Sequence, residues 1–395
     1  MRVLMLVATS VATDTRVVRE AQTLVDAGHS VHVVGKDVPA DYLPPDGISV
    51  SSAGGSSVFR PTGTPSASGR RLSAPQRAAR WALLPQHRNQ AFRSWAEAAA
   101  ADARTRQFDV VHAHDFTALE AGAALAGERA VPYVYDTHEL WLGRQRQHRP
   151  TPLQDRRDAD VEKLLGARAA AVITVGDGVA AALRTRYHWT HITVVRNSFP
   201  ARTSDEPPLS AAPIGLVYAG RIDAHRELET VLGATAYVGL PVTLVGPADE
   251  VWVGRNSDQI VASGTSLLAP LPVDDVTALL RRSGLALVTH SDRFESHLLA
   301  LPNKLFHAVH AGVPVIATDV PELASVVRRH DLGETYRPGD ARGLAAAVDR
   351  ALDRWPGLVA SVAAAAQELS WDADAAALRA VYERLAAGAA ASPKP

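Results

Sequence analysis

Short apolar runs, rich in β-branched residues, alternate along the chain with longer stretches whose apolar positions recur every three or four residues. The runs of the first half lie at 2–8, 29–35, 109–114, 132–138, 170–176 and 192–198. After a Pro- and Ser-rich stretch the pattern restarts at 214–221, 241–246, 285–291 and 313–319. Continuous apolar runs separated by amphipathic helices predict parallel strands covered on both faces. The pattern therefore predicts an α/β protein with two doubly wound halves joined by a linker at 199–213.

The segment 15–27 shows the helical half of this pattern. Its apolar stripe consists of Val17, Val18, Ala21, Leu24 and Val25, and its other face carries Arg16, Arg19, Glu20 and Asp26. Gly28 predicts the end of this helix. Ligands of doubly wound sheets bind beyond the carboxyl ends of the strands, so residues directly after each strand are the candidate site residues.

Length and composition narrow the function classes. A chain of 395 residues exceeds the usual limit for one core, which favours two domains. A net charge of −1 argues against a nucleic-acid-binding protein, and the absence of cysteine excludes disulfides and thiolate metal sites. The apolar N-terminal run is too short for a secretory signal, and no run approaches the ~20 residues of a membrane span. These features predict a cytoplasmic location.

The segment 47–96 departs from the alternating pattern. It contains seven arginines and no acidic residue, and it is rich in Ser, Pro and Gly. Its first part is typical of a mobile loop, and its second part is typical of a helix interrupted by Pro85. Two interpretations stay open. A basic segment over 60–93 that carries Trp81 could lie on anionic lipid at the inner face of the membrane, or the helix could pack Trp81 into the first domain.

Two strand ends in the second half carry the chemistry of a diphosphate site. The stretch "VYAGRIDAHRE" is a strand, a turn at Gly220 and a helix start, with Arg221 and Arg226 beside the turn. Glycine permits close approach of backbone to a ligand, and guanidinium groups match phosphate oxygens. Lys304, one of only four lysines, follows Pro302 at the start of another predicted helix. Its ammonium would reach an anion held at the same edge of the sheet.

Other signals are weaker. The stretch "DAD" at 158–160 suggests a metal site but is interpreted as the solvated face of a helix. In "HAHD", His112 and His114 point to one face of a strand, yet the sequence shows no third metal ligand. No G-x-G-x-x-G follows the first strand, which argues against a dehydrogenase.

The ordered set of motifs resembles the retaining glycosyltransferases of family 4, which have the GT-B fold. In the second half the resemblance is carried by "GRIDAHRE" and "PNKLFHAVHAGVPVIATDVPEL". In the first half it is carried by "VVREAQTLVDAGHSVHVV", "FDVVHAHD", "VPYVYDTHELW" and "VVRNSF". The resemblance spans nearly the whole chain and implies two Rossmann-like domains that face a central cleft. The expected boundaries are 1–205 for the acceptor domain, 206–369 for the donor domain, and 370–390 for a helix that returns to the first domain.

The resemblance also implies roles for individual residues. Arg221 and Arg226 match the positions that grip the donor diphosphate, next to Gly220. His138, in "YDTHELW", matches the histidine near the transferred sugar. Asp115 and Glu139 match positions that face the acceptor.

The chain departs from the family at two glutamates of the donor site. Counting back from Gly312 puts His307 at the second glutamate, which normally holds the nucleotide ribose, and Leu299 at the first. A neutral imidazole accepts one hydrogen bond and not two. Glu295 is the candidate replacement for the first glutamate.

The function implied by the resemblance is metal-independent transfer of a hexose from a UDP, GDP or dTDP sugar to an acceptor hydroxyl, as in bacterial cell-envelope or natural-product pathways. No other cofactor is expected. Three alternatives stay open: a noncatalytic homologue that acts as a partner of another enzyme, a nucleotide-sugar epimerase, and a membrane-docked transferase with a lipid acceptor.

Overall fold

Two parallel sheets form the framework of the protein. The computed structural model describes residues 1–54, 94–144, 152–201, 209 and 212–391. The first sheet has the strand order β3-β2-β1-β4-β5-β6-β7, and the second has the order β10-β9-β8-β11-β12-β13. All pairings are parallel. The two doubly wound halves predicted from the sequence are confirmed.

The first sheet consists of β1 (Arg2–Val7), β2 (Ser30–Gly35), β3 (Ile48–Ser52), β4 (Val110–His114), β5 (Tyr133–Thr137), β6 (Ala171–Thr174) and β7 (Ile192–Val194). Its helices are α1 (Thr15–Asp26), α2 (94–104), α3 (Asp115–Arg129), α4 (Pro152–Arg168) and α5 (Asp177–Tyr187). Short 3-10 turns lie at Val11–Thr13 and Trp141–Gly143.

The second sheet consists of β8 (Gly215–Ala219), β9 (Val242–Val245), β10 (Ser266–Leu268), β11 (Gly284–Val288), β12 (Val315–Thr318) and β13 (Gly333–Tyr336). The helices that follow are α6 (Leu228–Ala234), α7 (Glu250–Ser263), α8 (Val273–Ser283), α9 (Glu295–Leu298), α10 (Asn303–Ala311), α11 (Pro321–Arg329), α12 (Ala341–Asp353), α13 (Trp355–Ala365) and α14 (Trp371–Ala391).

The apolar runs become the central strands because both of their faces are covered. Leu4 of β1 and Val111 of β4, for example, are no more than 1% exposed. The pairing order changes direction between β1 and β4 and between β8 and β11, and each change opens a crevice at the carboxyl ends. These two crevices position the candidate site.

Three strands lie outside the sequence-based prediction, and each has a weak apolar signal. The edge strand β3 reads "ISVSS", β10 is a three-residue edge strand with exposed side chains, and β13 reads "GETY". The mobile loop predicted for the first part of 47–96, which starts at Ser51, is wrong for Ser51 and Ser52, because these residues end β3. The segment 60–93, predicted to contact a membrane, lies outside the described residues, so that interpretation stays a prediction.

The last helix packs against the first sheet although it follows the second sheet in the chain. In α14, Trp371, Leu378 and Tyr382 share one core cluster with Met5 of β1 and Val17 of α1. The Trp371 indole donates a hydrogen bond to the Thr23 hydroxyl at 3.0 Å. The core of the first half is therefore completed by the end of the chain. Across the described residues, no helix combines the length and the apolar character needed to cross a membrane.

Asp374 anchors the start of α14 to the end of the first sheet. Its carboxylate accepts hydrogen bonds from the backbone and side chain of Arg196, at 3.1 and 2.9 Å, and from the Ser198 hydroxyl. Asp374 is 2% exposed, so its loss leaves the Arg196 guanidinium without its main partner. We expect Asp374→Ala to lower the free energy of unfolding by about 3 kcal/mol in urea titrations followed by circular dichroism.

The matched control for this prediction is Glu128→Ala. Glu128 pairs with Arg104 at 2.6 Å, but both side chains are largely exposed to water. Exposed ion pairs contribute little to stability. An unfolding midpoint that falls equally in both variants would contradict the anchoring role of Asp374.

Candidate active site

The carboxyl ends of the two sheets face a cavity that is partly open to solvent. Its volume is about 150 Å³, and its polar lining consists of Asp14, Arg16, His138 and Glu139 from the first half and Ser296 and Asn303 from the second. Residues that follow strands or begin helices supply this lining, as expected for doubly wound sheets. Both halves thus contribute polar side chains, which suit a ligand rich in hydroxyl groups.

His138 forms the wall of the cavity on the side of the first sheet. It follows β5, and each of its ring nitrogens faces a carboxylate. Nδ1 lies 3.4 Å from Asp115 Oδ2, and Nε2 lies 3.2 Å from Asp136 Oδ2. Burial alone would lower the pKa of His138, but the Asp115 and Asp136 carboxylates outweigh it and raise the pKa to about 9.

Asp115 is held in a backbone conformation that is unusual for its residue type. It begins α3 with φ +64°, in the left-handed region. One carboxylate oxygen accepts a hydrogen bond from the His138 backbone N–H at 3.2 Å, and the other faces the His138 ring. The strained backbone is coupled to a carboxylate that fixes its neighbour, which is typical of a functional position.

A buried ion pair between Arg16 and Asp136 lies next to the His138 ring. Arg16 of α1 donates two hydrogen bonds to Asp136, from Nε at 3.0 Å and from Nη2 at 2.8 Å. Burial alone would raise the pKa of Asp136, but Arg16 and His138 hold it well below its ordinary value. Glu20, one turn further along α1, lies 3.0 Å from Arg16, and burial raises its pKa to about 8. Asp136 is therefore the buried anion between two cations.

Glu139 lines the cavity next to His138 with a carboxylate of altered acidity. Burial and the neighbouring Asp115 raise the pKa of Glu139 to about 7. Its Oε2 accepts a hydrogen bond from the Ser296 hydroxyl of the second half at 3.3 Å. A carboxyl group whose pKa lies near neutrality is suited to exchange a proton with an acceptor hydroxyl.

A basic cluster lies in the second half, where Lys304 directly follows Asn303 of the cavity lining. Gly220 follows β8 with φ +151°, a backbone conformation that residues with a side chain rarely adopt. The Lys304 side chain occupies the space beside Gly220, with its ammonium 5.0 Å from the centre of the Tyr218 ring. Arg226 is held by Asp223 at 3.1 Å, whereas Arg221 is 68% exposed. The predicted cations thus meet around one glycine turn.

Lys304 and His290 have lowered pKa values in this environment. Burial and the neighbouring Arg226 guanidinium lower the pKa of Lys304 to about 7. Burial also lowers the pKa of His290 to about 2, and its Nδ1 has no hydrogen-bond partner among the described residues. A bound anion would reverse these shifts, because an opposite charge favours the protonated forms.

Glu295, the candidate replacement for the family's first glutamate, and Leu299, at the position of that glutamate, both contact the first half. Glu295 forms an ion pair with Arg186 of α5 at 3.1 Å. Leu299 packs against the core of the first sheet, and its side chain would meet a Cβ at Gly178 at 3.3 Å. Glu322 of α11 reaches the same region, where its carboxylate accepts backbone hydrogen bonds from Asp177 and Gly178. A leucine at 299 thus fits an apolar contact across the cleft.

His307 contacts Thr277 of the second half and Phe199, which precedes the second half in the chain. Its Nε2 lies 2.8 Å from the Thr277 hydroxyl of α8, and its ring stacks on Phe199 with 4.5 Å between centroids. Burial lowers its pKa to about 4, so the ring is neutral. The role of His307 in holding a ribose stays a prediction.

The interpretation of "DAD" as a solvated face is wrong for Asp158, and Arg16 and Glu20 of α1 are buried as well. Arg16 and Glu20 lie on the polar face of α1 by periodicity, yet they are buried because the sheet and α14 cover that face. Asp158 of "DAD" is 3% exposed and accepts a hydrogen bond from the Trp141 indole at 3.2 Å. The histidines of "HAHD" also acquire carboxylate neighbours that are remote in sequence. Only the spatial arrangement reveals these contacts.

Both halves of the chain match families of known proteins. The family profile "Glycosyltransferase Family 4" matches residues 13–201, and "Glycosyl transferases group 1" matches residues 214–354. Glycogen synthase of Mycobacterium tuberculosis is 27% identical over 281 residues, which cover 67% of this chain and 65% of that relative. The chain thus spans about two thirds of the length of the curated relative.

Solved structures share the fold at low sequence identity. Sucrose-phosphate synthase from Thermosynechococcus elongatus superposes with a TM-score of 0.72 at 18% identity, covering 98% of this chain and all of that one. HepE of Anabaena in complex with UDP-glucose gives a TM-score of 0.67 at 17% identity, again covering 98% of this chain and all of that one. With both halves matched by family profiles, the chain belongs to glycosyltransferase family 4 and is a glycosyltransferase of the GT-B fold.

Proposed function

We propose that the protein transfers a hexose from a nucleoside diphosphate sugar to an acceptor hydroxyl, with retention of the anomeric configuration and without a metal. One observation carries the proposal. His138, which two carboxylates of the first half flank, lines a cavity of about 150 Å³ together with Ser296 and Asn303 of the second half, and Asn303 directly precedes Lys304 of the basic glycine turn. UDP-glucose is the first donor to test, because the structural relative HepE was solved with it.

The second half would bind the donor through its diphosphate. Lys304 lies against Gly220, where the backbone offers a close approach, and the Arg226 guanidinium is near enough to lower the pKa of Lys304. Arg221, which is 68% exposed and 3.9 Å from Asp223, would reach the outer phosphate oxygens. During transfer, negative charge develops on the leaving diphosphate. Preorganised cations stabilise such charge strongly in a water-excluded site, which is the task that a divalent ion performs elsewhere.

The first half would hold the reacting sugar and the acceptor. His138 faces the cavity beside Glu139, and Asp115 fixes the His138 ring. The acceptor proton would pass to the leaving phosphate on the same face or to Glu139, whose pKa of about 7 suits proton exchange. Contacts across the cleft, such as Arg186 with Glu295, would keep water out during transfer.

The proposal is tested by thermal shift and turnover with a panel of nucleoside diphosphates and their sugars. Ligand at a hundred times its dissociation constant should add about 2.7 kcal/mol of stability, enough for a clear rise in melting temperature. We expect a rise with one base class and release of that nucleoside diphosphate when an acceptor is present. Retention is checked by the anomeric configuration of the product.

A noncatalytic partner of another enzyme is the second candidate. Leu299 and His307, at the positions of the two family glutamates, make contacts that serve packing. This candidate predicts no thermal shift with any nucleoside diphosphate and no turnover of any donor sugar. Binding without turnover would also favour it over the transferase.

A further inference from the structure

The environment of His138 fixes its protonation state by geometry. A neutral imidazole has one N–H and one lone pair, so it satisfies only one carboxylate. In this protein both ring nitrogens face carboxylate oxygens, Asp115 Oδ2 at 3.4 Å and Asp136 Oδ2 at 3.2 Å. Nε2 also lies 3.2 Å from His114 Nδ1, a ring nitrogen that shares the same Asp136 oxygen. Both contacts are favourable only when both nitrogens carry protons. The side chain is 18% exposed, so little water is available to replace either contact.

Asp136 is the group that makes this arrangement possible. It is fully buried and lies between the Arg16 guanidinium and the His138 ring. His114 Nδ1 also lies 3.1 Å from the same Asp136 oxygen, and burial keeps His114 neutral by lowering its pKa. Without Asp136, the cations Arg16 and His138 would be left as buried neighbours with no anion between them. Like charges in that position disfavour the protonated form of the histidine.

The same buried atoms are also the strongest candidate for a metal site. Ligand atoms of Glu20, His112, His114 and Asp136 lie within 4.8 Å of one another. Two features oppose a metal there. The His112 and His114 rings lie nearly parallel, 4.3 Å between centroids and 10° between planes, so their in-plane lone pairs run side by side and do not converge on one ion. The Arg16 guanidinium already neutralises the carboxylates.

We propose that Asp136 is a positioning residue which, together with Asp115, holds His138 as a doubly protonated imidazolium at the wall of the cavity. The charged and titratable groups that face His138 come from every element packed around it: Arg16 and Glu20 of α1, His112 and His114 of β4, Asp115 of α3, Asp136 of β5, and Glu139. Arg16 and His138 balance Asp115 and Asp136 in charge.

The consequence for the reaction rests on the proposed function. An imidazolium has no lone pair, so His138 does not remove the acceptor proton. It offers only N–H groups and positive charge to the bound substrates. Removal of the acceptor proton is then left to the leaving diphosphate or to Glu139, whose carboxylate lines the same cavity.

The test is the titration of His138 in the full-length protein labelled with ¹⁵N-histidine. The His138→Gln spectrum assigns its signals among the 15 histidines. We expect both ring nitrogens of His138 to have imidazolium shifts at pH 7 and to titrate near pH 9. In Asp136→Asn the midpoint should fall by about two pH units. Asp115→Asn gives a second, less buried variant with the same expected direction.

The matched control is Asp109→Asn, which makes the same Asp-to-Asn change just before β4, at the end of the strand that is remote from His114. Asp109 pairs there with Arg2, whose side chain is exposed. It should leave the His138 titration unchanged. A neutral His138 at pH 7 in the wild type would overturn the proposal, as would a midpoint that is the same in Asp136→Asn and Asp115→Asn as in the wild type. One tightly bound Zn²⁺ per chain that is lost in His112→Gln would also overturn it. The titration needs no donor, so its outcome is independent of whether transfer is ever observed.

Discussion

Replacing Lys304 with alanine should weaken the binding of a nucleoside diphosphate by about 100-fold or more. The ammonium lies beside Gly220, away from water, and the loss of one buried partner of a charge pair costs about 2–5 kcal/mol. Isothermal titration calorimetry of the diphosphate that gives the largest thermal shift measures the change. Lys163→Ala, on the exposed side of α4, is the matched control and should bind as the wild type does.

The same lysine gives the binding a defined dependence on pH. In the free protein the pKa of Lys304 is about 7, and a bound diphosphate favours the ammonium form. Binding therefore takes up a proton above pH 7, and affinity should fall by up to about tenfold for each pH unit above that value. Lys304→Ala should lose this part of the dependence. An affinity that is independent of pH between 7 and 9 in the wild type would place the lysine outside the diphosphate site.

Replacing His138 with alanine should lower the rate of sugar transfer by about 100- to 1,000-fold, the usual effect of removing one preorganised group from a reaction centre. Donor affinity should change far less, because the diphosphate is held by the other half of the protein. Release of the nucleoside diphosphate at saturating donor and acceptor separates the two effects. His32→Ala, in which the ring between Ser49 and Ser51 of β3 is removed, is the control and should keep its turnover.

A loss of donor affinity as large as the loss of turnover would contradict this division of labour. It would mean that His138 contributes equally to the ground state and to the transition state. In that case the cavity beside His138 would be part of the donor site alone, and the acceptor would have to approach from elsewhere.

The sequence predicted those parts of the site that depend on local pattern. Gly220 follows a buried strand, and Lys304 begins a helix that ends at Gly312, so strand ends and helix starts already bring them to one sheet edge. The three missed strands have short or polar sequences, and their pairing depends on the neighbour that the sheet provides. The periodicity of α1 predicts that Val17 and Leu24 lie in the core, but it does not predict that the polar face of α1 is also buried.

The charge network under His138 was not predictable for this reason. Arg16 and Glu20 of α1 are far from Asp136 in sequence, and each of the three is typical of a solvated position when considered alone. Their burial depends on α14, whose Tyr382 also contacts His112 at 2.9 Å. Likewise, the sequence identifies Leu299 and His307 only as positions where the family normally has a glutamate. Their actual contacts, with the first core and with Phe199, follow from how the two halves meet.

The position of α14 also has a consequence for biosynthesis. Trp371, Leu378 and Tyr382 belong to the same core as β1, so the first half stays incomplete while the ribosome makes some 370 residues. The second sheet has all its strands by Tyr336 and is able to fold earlier. In a nascent chain, the apolar side chains of α1 and β1 that α14 covers would therefore stay exposed throughout most of translation. Termination between 337 and 370 should yield a product that chaperones retain or that aggregates, even though every strand of both sheets is present.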